Sequence, residues 1–298
     1  MVTDITSTRP LKNAFALCAF AYLLALLVAA GTGYFFRGLH PLLTLFPADI
    51  AGTVVIYLFG RAFHNSSFYD PYWSIAPLFI AVFWFLRGSS AGGMTVRQIV
   101  VLLLVFAWGL RLTWHWARQW QGLQHEDWRY QDLRRKFPEW FWLVDLAGIE
   151  IMPTALVFLG CLSLYPALAV GRNTLGILDI LALIITGGAI LIETAADEQL
   201  WRFVRSKPKN GEILTKGLWA CSRHPNYFGE VLFWWGLYIF ALAADERYWW
   251  MVIGPAAVTI LFIFVSIPMM EKRSLERRPG YAGIRKKIPV FLPWFPKR

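Results

Sequence analysis

Charge is scarce in this chain, and the scarcity points to its solvent. Only 16% of the 298 residues are Asp, Glu, Lys or Arg, whereas a soluble domain carries about 25%. Hydrophobic residues make up 57%, with 16 Trp and 23 Phe, so much of this apolar surface must face lipid rather than water. Acidic residues are scarcer still, 19 against 29 Lys and Arg, for a net charge of +10. The basic residues sit in alternate loops rather than on one aromatic-studded face, so no nucleic-acid partner is expected. Cysteine is limited to Cys18, Cys161 and Cys221, at spacings that suit neither a metal cluster nor a redox pair. They are read as plain thiols, and no metal site is read from spacing. There is no Rossmann glycine fingerprint, so a bound nucleotide would have to be held by loop and helix-end side chains. No cleavable leader, repeat or linker is read, and one integral membrane domain over 1–298 is expected, with N-terminal spans in 12–60 and a catalytic region in 61–298.

A transmembrane helix needs roughly 20 apolar residues. The stretches 13–36, 48–64, 72–87, 96–117, 146–169, 174–196, 228–244 and 249–268 are candidates, and 48–64 and 228–244 are short. The expected fold is therefore an all-α integral membrane protein, a bundle of seven to eight transmembrane helices. Loop 118–145 carries Arg118, Arg129, Arg134, Arg135 and Lys136, loop 197–227 carries a second basic set, and the tail after Glu271 is basic almost throughout. The connections near Arg172 and Asp245–Arg247 are poor in charge. By the positive-inside rule the basic loops and the C-terminus face the cytoplasm of a bacterial inner membrane, as does the N-terminus with Arg9 and Lys12 if eight spans cross.

Polar residues inside or between apolar runs mark where chemistry is possible. The stretch Gly211–Glu230, GEILTKGLWACSRHPNYFGE, is a polar headpiece between two hydrophobic spans. Arg223 and His224 suit phosphate charge, Pro225 blocks the α conformation at the residue before it, and Asn226, Tyr227 and Glu230 then share one side of the next helix. In the run HNSSFYDPYWS, Asp70 is the carboxylate and Pro71 can open a helix. Either Asp70 and Asn65 only cap helices beside an aromatic belt of Tyr69, Tyr72 and Trp73, or they belong to a site. Arg111 and His115 stand four residues apart on the face of Trp108, with Arg118 a turn on, so they form an anion-binding wall or a snorkelling edge. Glu126, Asp127, Arg129 and Tyr130 lie on a short amphipathic helix that suits a nucleotide or anionic lipid heads equally. Asp197 with Arg202 and Arg205 suits a ribose and phosphates, or an ordinary ion-paired helix end. Glu150, a turn or more inside a span, is expected to be a buried hydrogen-bond partner, and the Pro-rich tail a lid folded back on the surface.

Three runs, DEQLWRF at 197–203, GLWACSRHPNYFGE at 217–230 and the closing GYAGIRKKIPVFLPWF, resemble the steroid 5-alpha-reductase family, especially its bacterial branch. Asn65, Ser67, Asp70 and Trp73 fit that branch's N-x-S-x-x-D-x-x-W element, so the likeness covers about residues 60–298. The resemblance implies NADPH-dependent reduction of the carbon–carbon double bond of an enone, on a helical membrane scaffold with the cofactor bound from the cytoplasm. It places Arg111 at the cofactor-binding Arg, Asp197 at the acidic nucleotide position, Asn226 at the Asn of the PNY turn and Glu230 at the carboxylate that meets the nicotinamide amide. Asp70 takes the place of the Glu that contacts the substrate carbonyl. Two positions depart from the pattern: Trp108 stands where steroid enzymes have a ketone-binding Tyr, and Met270 where a cofactor-facing His is expected.

The chemistry is consistent with these positions. Hydride delivered to the β carbon of an enone pushes charge onto the carbonyl oxygen, which rewards a donor aimed at the developing enolate. Asp70 is that donor when protonated, and Tyr72, Trp73 or Trp108 can supply a second hydrogen bond. The expected substrate is a lipid-soluble steroid or other enone entering a monomer from the bilayer. The alternative is a membrane methyltransferase using S-adenosylmethionine, which would employ Arg223, His224, Tyr227 and Glu271 and give Asp70 little to do.

Overall fold

The computed structural model describes residues 11–92, 94–209 and 211–294; Arg9 and the last four residues of the tail lie outside them. Among the described residues there is no strand. The helices are α1 (Leu11–Phe35), α2 (Pro41–Ala62), α3 (Tyr72–Gly92), α4 (Val96–Ala117), α5 (Trp128–Lys136), α6 (Phe141–Val170), α7 (Ile177–Arg205), α8 (Pro225–Ala244), α9 (Glu246–Arg277) and α10 (Tyr281–Lys287). Seven of these are long and apolar enough to cross a membrane: α1, α2, α4, α6, α7, α8 and α9. The chain is thus an all-helical, multi-pass membrane protein.

The two stretches that look short in sequence form full-length helices. α2 extends back through Pro41 to 22 residues, because a proline costs nothing at a helix's first position, and α8 starts at Pro225 and runs for 20. The stretch 72–87 is helical but is not among the seven. α7 and α9 continue past their apolar windows to Arg205 and Arg277, since Lys, Arg and Glu favour a helix in water as well as Leu does.

The chain divides into two compact units, residues 1–83 with 108–161, and residues 84–107 with 162–298, the division falling within α3, α4 and α6. In the first unit, α1 presents Ala14, Cys18, Ala21 and Ala25 at helical spacing. Small side chains let two backbones approach closely, which is how helices associate where lipid is as apolar as leucine. Behind them lie Ile56, Phe68, Tyr69, Tyr72, Trp120 and Leu123. A polar thread crosses this core: Thr53 Oγ1 and Thr154 Oγ1 are 2.9 Å apart, as are Thr154 Oγ1 and the Tyr69 hydroxyl.

In the second unit α7 and α8 meet at glycines. A Cβ at Gly236 would lie 2.1 Å from Thr186 Oγ1, and one at Gly229 would lie 2.8 Å from the Glu193 Cβ. Seven residues apart, both glycines fall on one face of α8 and set how closely it lies against α7. Arg97 grips Asp179 through Nε at 2.6 Å and Nη2 at 2.9 Å, and its remaining donors reach the carbonyls of Asn173, Thr174 and Ala243. A cavity of about 320 Å³ beside this pair is lined mainly by Val96, Val100, Leu183 and Phe240; its single cation is Arg97, already committed, so it offers no seat for phosphates.

Candidate functional site

In the first unit the polar run after α2 is zipped to the loop before α5. Asn65 caps a single turn at Ser66–Phe68 by accepting from Ser67 N–H at 2.9 Å, while its own amide donates to the carbonyls of Leu123 and His125. Ser66 N–H donates to Glu126 Oε1, and Asp127 N–H donates to Ser67 Oγ, both at 2.9 Å. Tyr130 O–H donates to Asp70 Oδ1 at 2.7 Å. The last three bonds join residues 60 apart in sequence; Asn65 caps the turn, and Asp70 follows it, bound by Tyr130.

Burial pushes the Asp70 carboxyl up to about 6, against the opposing pull of the Arg129 guanidinium and the Tyr130 hydroxyl. Burial also holds the Tyr130 phenol well above its ordinary value, so it remains a donor at neutral pH. Arg129 forks onto Asp127 through Nε at 2.8 Å and Nη2 at 3.1 Å, and its guanidinium lies 5.5 Å from the Tyr130 ring centre. Asp127, Arg129, Tyr130 and Asp70 therefore form one linked set. Tyr72 O–H donates to Asp49 Oδ1 at 2.9 Å and stacks on Tyr69. Trp73 meets the fully buried Trp108 edge to face at 6.4 Å. On α4, Arg118 Nη2 donates to His115 Nδ1 at 3.0 Å, so two of the three basic residues of that stripe are joined, and Arg111 lies partly buried a turn before them.

Asp49 was not singled out by sequence reasoning. A lone carboxylate in the apolar run PADIAGTVV is the signal that marks it, since charge inside a span is costly without a role.

In the second unit, Asn226 Nδ2 donates to Asp197 Oδ1 at 3.1 Å, joining two residues 29 apart that the resemblance assigns to the nucleotide. Both lie at helix ends: Asp197 two turns before the end of α7, and Asn226 at the second residue of α8, behind Pro225. The headpiece reaches them because Gly217, at φ +61°, turns the chain against Gln199, whose Oε1 accepts from Leu218 N–H at 3.0 Å. Any Cβ there would sit 2.5 Å from that same oxygen. Trp219 Nε1 adds a bond to the Ala196 carbonyl. One turn into α8, Glu230 is buried and accepts from Trp234 Nε1 at 2.8 Å.

Four expected phosphate ligands are engaged otherwise. Arg202 pairs with Glu198 at 2.8 Å on an exposed helix surface, and Arg205 lies 4.7 Å from the Trp201 ring centre, as in an ordinary ion-paired helix end. Arg223 is locked inward: Nε and Nη2 bind the two oxygens of Glu271, at 3.0 and 2.9 Å, and Nη1 donates to the carbonyls of Arg285 and Ile288. His224 Nε2 sits 2.9 Å from the same Glu271, which also accepts from Tyr281 O–H at 2.6 Å. The His224 ring stacks on Tyr227. The tail does fold back as expected: Arg223 N–H donates to Pro289 O, Ser222 Oγ to Phe291 O, and Trp294 N–H to Cys221 O. Arg223 and His224 form a clasp that pins the tail against the start of α8.

No solved structure is similar to this chain. A protein of Schizosaccharomyces pombe described as "Uncharacterized protein C594.04c" is 25% identical over 252 residues, 77% of this chain and 73% of its own length. The family described as "Protein of unknown function (DUF1295)" matches residues 56–288, a stretch that begins in α2 and includes Asp70, α5, Asp197, the headpiece and Glu271. The chain belongs to that family.

Proposed function

We propose that the protein is a membrane-embedded, NADPH-dependent reductase of the carbon–carbon double bond of an enone, a 3-oxo-Δ4 steroid, of the steroid 5-alpha-reductase type. The observation that carries this reading is Asp70: a carboxyl held by the Tyr130 hydroxyl and raised by burial to about 6. Such an acid is protonated often enough near neutrality to donate to a ketone oxygen as hydride arrives at the β carbon. NADPH, when bound, would supply the hydride, and the net change would be enone + NADPH + H⁺ to saturated ketone + NADP⁺: the α carbon would take its proton from solvent, and the proton that Asp70 lends to the oxygen would return to Asp70. Asp197, Asn226 and Glu230 are the nucleotide-side residues of the reading, supported by the bond between the first two. Arg111, His115 and Arg118 are its basic stripe, with His115 and Arg118 in contact. The basic loops and the C-terminus face the cytoplasm, and the protein acts as a monomer.

The methyltransferase reading uses Arg223, His224 and Tyr227 for its cofactor, with Glu271 near the tail; Arg223 and His224 are each bonded to Glu271, and this bears equally on the reductase reading, which expects the same two side chains at its cofactor. The test is incubation of the purified protein with NADPH and a panel of enones, with product analysis. A saturated ketone formed at the expense of NADPH is expected. Consumption of S-adenosylmethionine with a methylated lipid product would overturn the reading.

A further inference from the structure

We propose that Asp145 and Glu150 of α6, together with Ser66, form a binding site for a hard metal cation, a feature independent of the reductase reading. Glu150 is 0% exposed within a membrane span, and neither of its carboxyl oxygens has a hydrogen-bond partner. Sequence reasoning expects it to be a hydrogen-bonded group, and the structure gives it no bond. Asp145 and Ser66 lie side by side, their side chains within reach of each other, and nothing else meets Asp145 Oδ1 or Ser66 Oγ. Buried polar groups in native proteins are satisfied, and an uncompensated carboxylate is the costliest to leave bare, so the two bare oxygens of Glu150 beside the Asp145–Ser66 pair call for an electropositive occupant.

The backbone gathers them. α6 widens into a π-helical turn over Asp145–Ile151, so residues five apart come onto one side. Glu150 Oε1 lies against Gly60 of α2: a Cβ there would be 3.7 Å from it, 3.6 Å from the Ser66 Cα and 3.3 Å from the Asn65 carbonyl oxygen. The bare glycine leaves that side open to oxygens from three segments. The neighbouring donors are committed elsewhere. Tyr57 O–H donates to the Trp142 carbonyl at 3.0 Å, the Tyr69 hydroxyl pairs with Thr154, and Arg134 binds Glu126 at 2.6 Å while lying 4.0 Å from the Phe141 ring centre. Arg61, the other cation that acts on Asp145, is exposed at the end of α2. The donor set is all oxygen with no His or Cys, which suits Na⁺, Mg²⁺ or Ca²⁺ rather than a softer metal. With two carboxylates, a hydroxyl and a carbonyl, it falls short of three acidic or His/Cys ligands, and for that reason ligand spacing in the sequence does not reveal it.

The experiment uses full-length protein in detergent, stripped with chelator, and follows Tm by tryptophan fluorescence in choline chloride against NaCl, KCl, MgCl₂ and CaCl₂ at matched ionic strength. One of these cations is expected to raise Tm by about 2 °C at ten times its Kd and about 4 °C at a hundred times, and the effective salt identifies the ion. Glu150→Gln and Asp145→Asn are expected to abolish the rise while keeping Tm in choline at or above that of the wild type, since the carboxamides end the uncompensated charge. No response to any cation, or a rise that survives Glu150→Gln, overturns the proposal. So does a wild-type Tm that responds only to acid, which would mean that a proton alone occupies the site. If both carboxamide variants fail to fold, Ser66→Ala decides. A cation midpoint shifted several-fold upward supports the site, and an unchanged midpoint overturns it.

Discussion

At the scale of single residues, Asp70 and Asn226 each carry a test of the proposed reaction. Asp70→Asn keeps a hydrogen bond toward the carbonyl but removes the transferable proton, so enone turnover is expected to fall sharply while NADPH affinity changes little. Turnover equal to the wild type would remove Asp70 from the mechanism. The pH dependence follows in sign: turnover that needs the protonated acid should decline as pH rises through about 6, and Asp70→Asn should abolish that limb. Stability runs the same way. The unfolded carboxyl titrates near about 3.9 and the folded one higher, so the folded state binds the proton more tightly. Its contribution is present below the unfolded value and is lost as pH rises through about 6. Thermal midpoints of wild type relative to Asp70→Asn, measured between acid and neutral pH, check this. Asn226→Ala removes the bond to Asp197 and is expected to weaken NADPH by about tenfold, the worth of one hydrogen bond to a charged group. Arg202→Ala and Arg205→Ala remove exposed side chains already engaged on their own helix and are expected to cost no more than about threefold.

At the scale of elements, hydropathy located the helices because each must bury about 20 apolar residues in lipid. The ends were harder to place. α7 and α9 run on into water through Lys, Arg and Glu, which hydropathy scores as a stop although the helix continues. The local pairings in the site, Asp127 capping Arg129 and Arg202 beside Glu198, follow from spacing alone. The pairing of Asp70 with Tyr130 does not, because it depends on how a turn after α2 meets a loop before α5. Likewise, nothing in the text of Arg223–His224–Pro225 says that a glutamate 47 or 48 residues later will take up both basic side chains. The π-helical turn around Glu150 is equally silent in sequence. Three substitutions test the elements. Gly236→Ala puts a methyl within 2.1 Å of Thr186 Oγ1 and is expected to cost about 1–3 kcal/mol of stability, whereas Gly187→Ala, with nothing within 4 Å, should be neutral or stabilising. Arg97→Ala leaves Asp179 buried without its partner and is expected to cost about 3–5 kcal/mol. Denaturation midpoints measure all three.

At the scale of the whole molecule, the same composition that excludes water from the spans gives the protein its proposed chemistry, by keeping solvent from a hydride and admitting an oily substrate. All three thiols are free, with Cys18 and Cys161 buried and only Cys221 partly exposed. A maleimide is therefore expected to label Cys221 alone in the folded protein, and to do so from the cytoplasmic side of inner-membrane vesicles if the basic headpiece faces that way. Labelling from the opposite side only would reverse the orientation. The most direct measurement of the central claim is an equilibrium titration of the purified protein with NADPH and, separately, with S-adenosylmethionine. The expected result is saturable binding of NADPH alone, lost in Arg111→Ala; saturable binding of S-adenosylmethionine with none of NADPH would contradict the account.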